Sequence, residues 1–298
     1  MALKPKLGVQ GSGQWVDGLP DPGFFREVAA RAEKLGYDSI WAGDHISFHN
    51  PIVDVTVALS AFAAHTDRIA IGAGIVLLPL RHPSLLAKEF ASLDWLSGGR
   101  VVLGVGVGGE GAGDFAAVGV PVSERGARAN DAMLALRELF RGQASFSGRY
   151  FSFEDVRIEP GPAQEGGPPL WVGGRSNAAI RRAGTLGDGW MPIWVSAERF
   201  AAGLAEARSS GRDVTGAVVL PALVGDDASE RLAEHLGQRY AMEVSPNLVE
   251  RYCCAGPLEI CAARVREYAD AGAEHVIFNL GCEPGEFFEQ MELLRGVA

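Results

Sequence analysis

The sequence predicts an α/β fold, a (β/α)8 TIM-type barrel built as a single domain over residues 1–298. Three observations carry that prediction. Short apolar runs recur along the chain without polar alternation, as strands buried on both faces require. Amphipathic stretches with apolar residues three and four apart separate them. Eight such strand–helix units fill 298 residues, the length of one barrel. An open doubly wound sheet is the rival architecture, and the lack of a GxGxxG turn after the first strand argues against it.

The clearest unit runs from Ile69 to Gly109. Ile69–Ile75 is an apolar, glycine-interrupted strand, the third in the chain. His82–Leu96 follows as a helix, with Leu85, Leu86, Phe90, Leu93 and Leu96 on one face and Ser97-Gly98-Gly99 as its stop. Val101–Val107 is the fourth strand. Before this unit, Leu7–Gln10 reads as the first strand. A helix then opens at Asp21-Pro22, places Phe24, Phe25, Val28, Ala29, Ala32 and Leu35 on one face, and ends at Gly36. Ser39–Ala42 is the second strand and Pro51–Ala64 its helix.

After the fourth strand, Glu124–Arg141 is a long helix. The rhythm breaks near 145–158, where FSGRYFSFEDVRI alternates aromatic residues around a Ser-Gly turn and reads as an inserted β-hairpin. A Pro/Gly-rich loop over 160–169 returns the chain. Leu170–Val172 and Gly189–Ile193 are strands five and six, joined by the helix Asn177–Leu186. The helix Arg199–Ser209 leads to strand seven, Val218–Val224. An extra helical segment near 229–254, beginning with a helix of about Ser229–Met242, is a second insertion. The helix Pro257–Ala271, strand eight at His275–Leu280 and a closing helix Pro284–Leu294 complete the barrel.

Composition narrows the function. Apolar residues make up 47% and charged residues 21%, so the chain can bury a large core. The net charge of −10 is the wrong sign for a nucleic-acid or anionic-membrane partner. No apolar run is long enough for a membrane span, and the N-terminal MALKPKLGVQ lacks the apolar segment of a signal peptide, so a cytoplasmic protein is expected. Cys253, Cys254, Cys261 and Cys282 form no CxxC pair and read as free buried thiols, with no metal site. The lysines are Lys4, Lys6, Lys34 and Lys88. Any anion site beyond them therefore relies on arginine, backbone N–H groups or helix N-termini.

Chemistry in a barrel gathers at the C-terminal ends of its strands. Asp44 and His45 end the second strand. Imidazole titrates near neutral pH, so His45 is the candidate acid or base, with Asp44 as its orienting partner or as a ligand-binding carboxylate. The bland alternative is a turn cap beside a surface histidine. Gly74 and Ile75 end the third strand, and Gly106, Gly108 and Gly109 the fourth. Such glycines either let a flat ligand lie against bare backbone or merely relieve packing. Gly173, Gly174, Arg175 and Ser176 precede a helix, where unpaired N–H groups and one arginine make an anion site; a plain helix cap at Ser176 is the alternative. Arg125 and Arg128, one turn apart, either serve the same anion or line a solvated face. His82 reads as a helix cap. His49, Trp15, Trp190 and Trp194 are candidate pocket residues with a core role as the alternative.

Asp44-His45 within WAGDH, LGVGVG on strand four, RGARANDAMLALRELFRG, WVGGRSNAAIRRAGTLGDGW and AGPLEICAARVREYADAGAEHVIF occur in one order. Together they make the chain resemble the bacterial luciferase-like family of flavin and deazaflavin oxidoreductases, nearly end to end. The resemblance implies a TIM-type barrel and an enzyme that uses either coenzyme F420 in hydride transfer or FMN as an FMNH2-dependent monooxygenase. The WAGDH stretch and the Lys-poor, Ala/Gly/Arg-rich composition are more similar to the deazaflavin branch. It implies a non-proline cis peptide at Gly74–Ile75 behind the cofactor ring, with Asp44, Gly106, Gly108 and Gly109 around the ring. It places the cofactor phosphate at Gly173–Ser176, with Arg125 and Arg128 nearby. Glu110 stands one position away from an acid of the family's sugar-phosphate dehydrogenases and reads as a solvated loop residue. The absence of later lysines argues against a phosphorylated sugar, leaving a small, apolar or carbonyl-bearing substrate. A homodimer is expected, paired through the helices near strands two and three.

Overall fold

The computed structural model describes residues 4–12, 15–16, 18–109 and 111–297. In chain order its elements are β1 (Lys6–Ser12), α1 (Gly23–Leu35), β2 (Ser39–Ala42), α2 (Val55–Ala64), β3 (Ala70–Leu77), α3 (Pro83–Ser97), β4 (Val101–Gly106), α4 (Ala112–Val118) and α5 (Arg125–Phe140). There follow β5 (Gln143–Ser147), β6 (Ser152–Arg157), β7 (Leu170–Gly173), α6 (Asn177–Leu186), β8 (Gly189–Met191), α7 (Ala197–Arg208) and β9 (Thr215–Val224). The chain closes with α8 (Ala228–Tyr240), α9 (Pro246–Tyr252), β10 (Cys254–Gly256), α10 (Leu258–Asp270), β11 (His275–Leu280) and α11 (Phe287–Arg295).

The strands β11, β1, β2, β3, β4, β7, β8 and β9 pair in that order, all parallel, and β9 pairs again with β11. The ring is closed, so the eight-stranded barrel is the architecture and the open sheet is excluded. β10 pairs in parallel with the C-terminal end of β9, beyond the stretch that β8 takes, and β5 with β6 forms the antiparallel hairpin predicted near 145–158. No described helix is long and apolar enough to cross a membrane.

Two apolar layers hold the barrel. The larger lies between strands and helices and includes Leu7, Ile40, Phe62, Phe90, Leu103 and Phe278. The smaller fills the barrel interior with Trp41, Trp171, Met191, Ala217, Val219 and Ile277. Two tryptophans fit inside because their neighbours have no side chains. A Cβ on Gly72 would stand 2.1 Å from the Trp41 ring, and one on Gly189 would stand 2.5 Å from Trp171. These interior glycines relieve packing around the two rings.

Capping chemistry sets the helix starts. The Asp54 carboxylate accepts from the Thr56 and Val57 N–H groups, so α2 begins at Val55 rather than at Pro51. His82 caps α3, its Nδ1 accepting from Ser84 N–H at 3.3 Å. The helical insertion expected near 229–254 divides into α8 and α9. Two elements have no counterpart in the sequence pattern, α4 and β10, and each is too short for a hydrophobic period to register. One helix face differs from expectation. In α3, Leu86, Phe90 and Leu93 are buried, but Leu85 and Leu96 are 67% and 72% exposed, along with Trp95. The helix carries apolar residues on two sides, and periodicity alone does not say which side meets the barrel.

Candidate active site

A cavity of about 230 Å³ opens at the C-terminal ends of the barrel strands. Its wall takes Gln10 from β1, Gly43, Asp44 and His45 after β2, Gly74 and Ile75 from β3, Gly106 to Gly109 at β4, Gly173 and Gly174 at β7, Met191 and Ile193 at β8, Val219 from β9 and Asn279 from β11. Tyr240, at the end of α8, also lines it. Strand pairing puts the ends of distant sequence segments side by side here. Nine of the residues singled out in the sequence meet in this one cavity: Asp44, His45, Gly74, Ile75, Gly106, Gly108, Gly109, Gly173 and Gly174.

His45 is held by a carboxylate, and that carboxylate is Asp114, not Asp44. His45 Nδ1 lies 2.8 Å from Asp114 Oδ2. Asp114 Oδ1 accepts the backbone N–H groups of Ile46 and Ser47 at 2.7 and 2.8 Å, which locks the carboxylate against the His45 loop. Asp114 is buried within α4. Phe48 stacks on the imidazole with centroids 4.1 Å apart. A carboxylate accepts a proton from Nδ1, so the neutral ring presents Nε2 to the cavity as an acceptor. An imidazole held this way can take or give a proton at Nε2.

Asp44 has a different task. Its carboxylate takes Arg81 in a forked contact, Nη2 at 2.7 Å and Nε at 3.2 Å, and the Leu77 N–H at 3.0 Å. Arg81 also reaches Asp54 at 2.9 Å. Burial works against the charged guanidinium, but hydrogen bonds and charge from Asp44 and then Asp54 outweigh it and raise its pKa. Asp44 thus pins the exit of β3 to the exit of β2, beneath the His45 loop.

The peptide Gly74–Ile75 is cis, and the β3–β4 register shifts between Ala73 and Val76 around it. Gln10 Nε2 donates to Gly74 O at 2.9 Å. Ile75 projects across the cavity floor. A Cβ on Gly106 would come within 2.2 Å of Ile75 Cδ1, and one on Gly173 within 2.9 Å of Ile75 Cγ2. Those two glycines make room for Ile75. Gly174 has φ +102°, a conformation that favours glycine, as the chain turns into α6.

Ser176 caps α6, its Oγ accepting from Ala179 N–H at 3.2 Å, and lines neither cavity described here. Arg175 donates to Trp194 O at 3.0 Å and lines an adjoining chamber of about 760 Å³. Arg125 abuts Gly109 and donates to Val122 O. Arg128 is engaged by Glu124 at 2.8 Å and lies over the Tyr150 ring. The structure does not bring these two arginines into the cavity. Glu110 lies outside the described residues.

The chamber is walled by Phe48, His49, Trp194, Tyr240, Met242, Leu248 and Tyr252, and shares Tyr240 with the smaller cavity. His49 and Trp194 are therefore pocket residues. Trp15 and Trp190 are core: Trp15 packs on Phe24 and Phe287, and Trp190 stacks on Phe200. The sequence reading missed Gln10, Arg81, Asp114, Tyr240 and Asn279. Asn279 and Gln10 left a signal, each a lone amide in an apolar strand, HVIFNL and LGVQ.

The luciferase-like monooxygenase family model matches residues 5–242. The F420-dependent hydroxymycolic acid dehydrogenase of Mycobacterium tuberculosis is 32% identical over 88% of this chain and 78% of its own length. A solved F420-dependent secondary alcohol dehydrogenase, bound to an F420-acetone adduct, superimposes with TM-score 0.86 at 21% identity, over 99% of this chain and 98% of that one. A monooxygenase from Streptomyces bottropensis superimposes with TM-score 0.83 at 21% identity, over 97% of each chain. Family match and closed barrel agree: the chain belongs to the luciferase-like monooxygenase family.

Proposed function

We propose that this protein is an F420-dependent oxidoreductase that passes a hydride between the deazaflavin and a small organic alcohol or carbonyl compound. The observation that carries the reading is the His45–Asp114 pair set over a cavity rimmed with bare backbone. The relative from Mycobacterium tuberculosis, F420-dependent by name, supports the choice of coenzyme. The FMN-dependent monooxygenase reading has less support.

The residues present fit the group. The cavity wall at β4 and β7 is mostly glycine backbone, so the side chains a flat heterocycle would meet there are Val107 and, beneath it, Ile75. The first turn of α6 leaves N–H groups without helical partners, and Arg175 stands beside it, so Gly174, Arg175 and Ser176 would hold the phosphate. Gly74, Ile75, Gly106, Gly108 and Gly109 would flank the ring, with Arg125 at its outer edge, while Arg128, tied to Glu124 and Tyr150, would support the loop from behind. F420, when bound, supplies the hydride acceptor or donor. The protein supplies the rest. His45 Nε2 takes a proton from a substrate hydroxyl, or returns it to a carbonyl oxygen, while Asp114 holds the ring and stabilises its charged form. Asp44 fixes the two strand exits that set the position of this loop. The aromatic side chains of the chamber favour an apolar substrate.

The test is turnover. Mixed with oxidised F420 and a panel of small secondary alcohols, the protein should bleach F420 absorbance with at least one alcohol. Absence of bleaching throughout, together with oxygen uptake on reduced FMN, would contradict the reading.

A homodimer follows the same proposal. Val57 on α2 and Leu85, Trp95 and Leu96 on α3 are large apolar side chains left exposed. They lie on the two helices where pairing was expected. Light scattering should give a dimer mass, and Leu85→Glu should shift it toward the monomer; a monomeric wild type would refute it. A cytoplasmic location fits the four cysteines, all buried and free.

A further inference from the structure

Arg239 is a buried cation with no matching anion among the described residues. It lies in the last turn of α8 and is 1% exposed. Its Nη1 donates to Asn279 Oδ1 at 2.9 Å and its Nη2 to Leu280 O at 2.7 Å. Nη2 also meets His235 Nε2 at 2.9 Å, which makes His235 a neutral acceptor. The neighbouring Tyr240 side chain favours the charged guanidinium, against the larger effect of burial. Among the described residues Nε has no hydrogen-bond partner, and no carboxylate lies within ion-pair distance of the guanidinium. Glu283 lies 3.9 Å from the far nitrogen of His235. Neutral oxygens and one imidazole do not offset a buried charge; such charges are normally paired.

The guanidinium also fixes the orientation of Asn279. Arginine only donates, so the Asn279 amide must turn its oxygen toward Arg239. Its two N–H donors then face away from Arg239. Asn279 lines the small cavity, and among the described residues no protein acceptor takes those donors. It does not line the larger chamber. The cavity therefore presents a fixed amide donor, backed by a positive charge one residue behind the wall. The chemistry that answers it is a carbonyl oxygen able to carry negative charge, on the flat group seated in this cavity rather than on a substrate in the chamber.

We propose that Asn279 donates a hydrogen bond to a carbonyl oxygen of the heterocycle that occupies this cavity, and that Arg239, acting through Asn279, favours the negatively charged form of that heterocycle. The inference rests on the F420 reading. The pyrimidinedione ring of a deazaflavin has such carbonyls, and the reduced coenzyme carries negative charge over that ring above neutral pH. Asn279 is then a binding residue and Arg239 a positioning residue that biases the coenzyme toward its reduced state.

The experiment measures affinity for oxidised and for reduced F420 at pH 8 under anaerobic conditions, in the wild type and in the variants Asn279→Leu, Arg239→Met and Arg239→Lys. The wild type should bind the reduced form about ten-fold or more tightly than the oxidised form. Asn279→Leu should weaken both by about ten-fold, as loss of a hydrogen bond to a charged group does. Arg239→Met should narrow the ratio between the two forms by about five-fold or more without lowering Tm, since replacing an uncompensated buried charge with an apolar side chain relieves its desolvation. Arg239→Lys should restore part of the ratio. A structural role alone would lower Tm and leave the ratio unchanged. Asn279→Leu binding both forms like the wild type would overturn the inference even if Arg239→Met fails to fold. A wild type that binds neither form refutes the coenzyme reading and this inference with it.

Discussion

His45→Ala should lower kcat by about 10²- to 10⁴-fold and leave F420 affinity within a few-fold of wild type. The expectation follows from where the side chain stands. His45 lines the cavity, and its Nδ1 is committed to Asp114. The remaining nitrogen is what a substrate oxygen meets, and alanine removes the proton carrier without touching the glycine walls. Asp114→Asn separates orientation from structure. An asparagine oxygen keeps the Ile46 and Ser47 N–H bonds, so the loop stays folded. Its NH2 then faces His45 Nδ1 and accepts no proton from it, which forces the proton onto Nε2. The ring becomes a donor where an acceptor was needed. A loss of 10²-fold or more in alcohol oxidation is expected, with an unchanged Tm and an altered pH profile of kcat. Wild-type kcat in either variant would remove His45 from the mechanism.

The fold should lose stability in mild acid, before most carboxylates titrate. Two histidines, His235 buried and His275 half-buried, are held as neutral rings. Burial, then the charge of Arg239, holds His235 down to about 3. Burial, then Lys6, holds His275 down to about 4, against an opposing pull from Asp38. In the unfolded chain both titrate near 6.5, so the unfolded state binds more protons as pH falls. The stability is fully present above about 6.5 and declines through the interval down to the folded values. Each histidine contributes a loss of roughly 1.4 kcal/mol per pH unit in that interval. Thermal melts at pH 7.5, 6.5, 5.5 and 5.0 should show a progressive fall in Tm. His275→Phe, which keeps an aromatic edge against Trp171, should flatten part of it. A Tm constant from pH 7.5 to 5.0 would contradict the account.

How far the sequence carries this site depends on the range of each interaction. The strands are legible because burial on both faces leaves a continuous apolar run. The His45 and glycine positions are legible because strand ends in a barrel share one rim. Asp114 is not, because it lies 69 residues from His45 on a seven-residue helix that contains a glycine. Arg81 and Arg239 are surface-like residues by type, and only their burial against Asp44 and Asn279 gives them a role. The glycines divide by what a Cβ would strike. Gly72 faces Trp41 and Gly106 faces Ile75, and no local pattern distinguishes these from Gly108 and Gly109 on the rim. Leu85 and Leu96 show the converse limit: a helical period locates an apolar face but not what covers it.

The most direct measurement of the central claim is a fluorescence titration of the purified protein with oxidised F420 and, separately, with FMN. The account predicts micromolar or tighter binding of F420 and FMN binding weaker by at least about ten-fold, a gap of roughly 1.4 kcal/mol. FMN bound more tightly than F420 would contradict it and assign the cavity to a monooxygenase flavin instead.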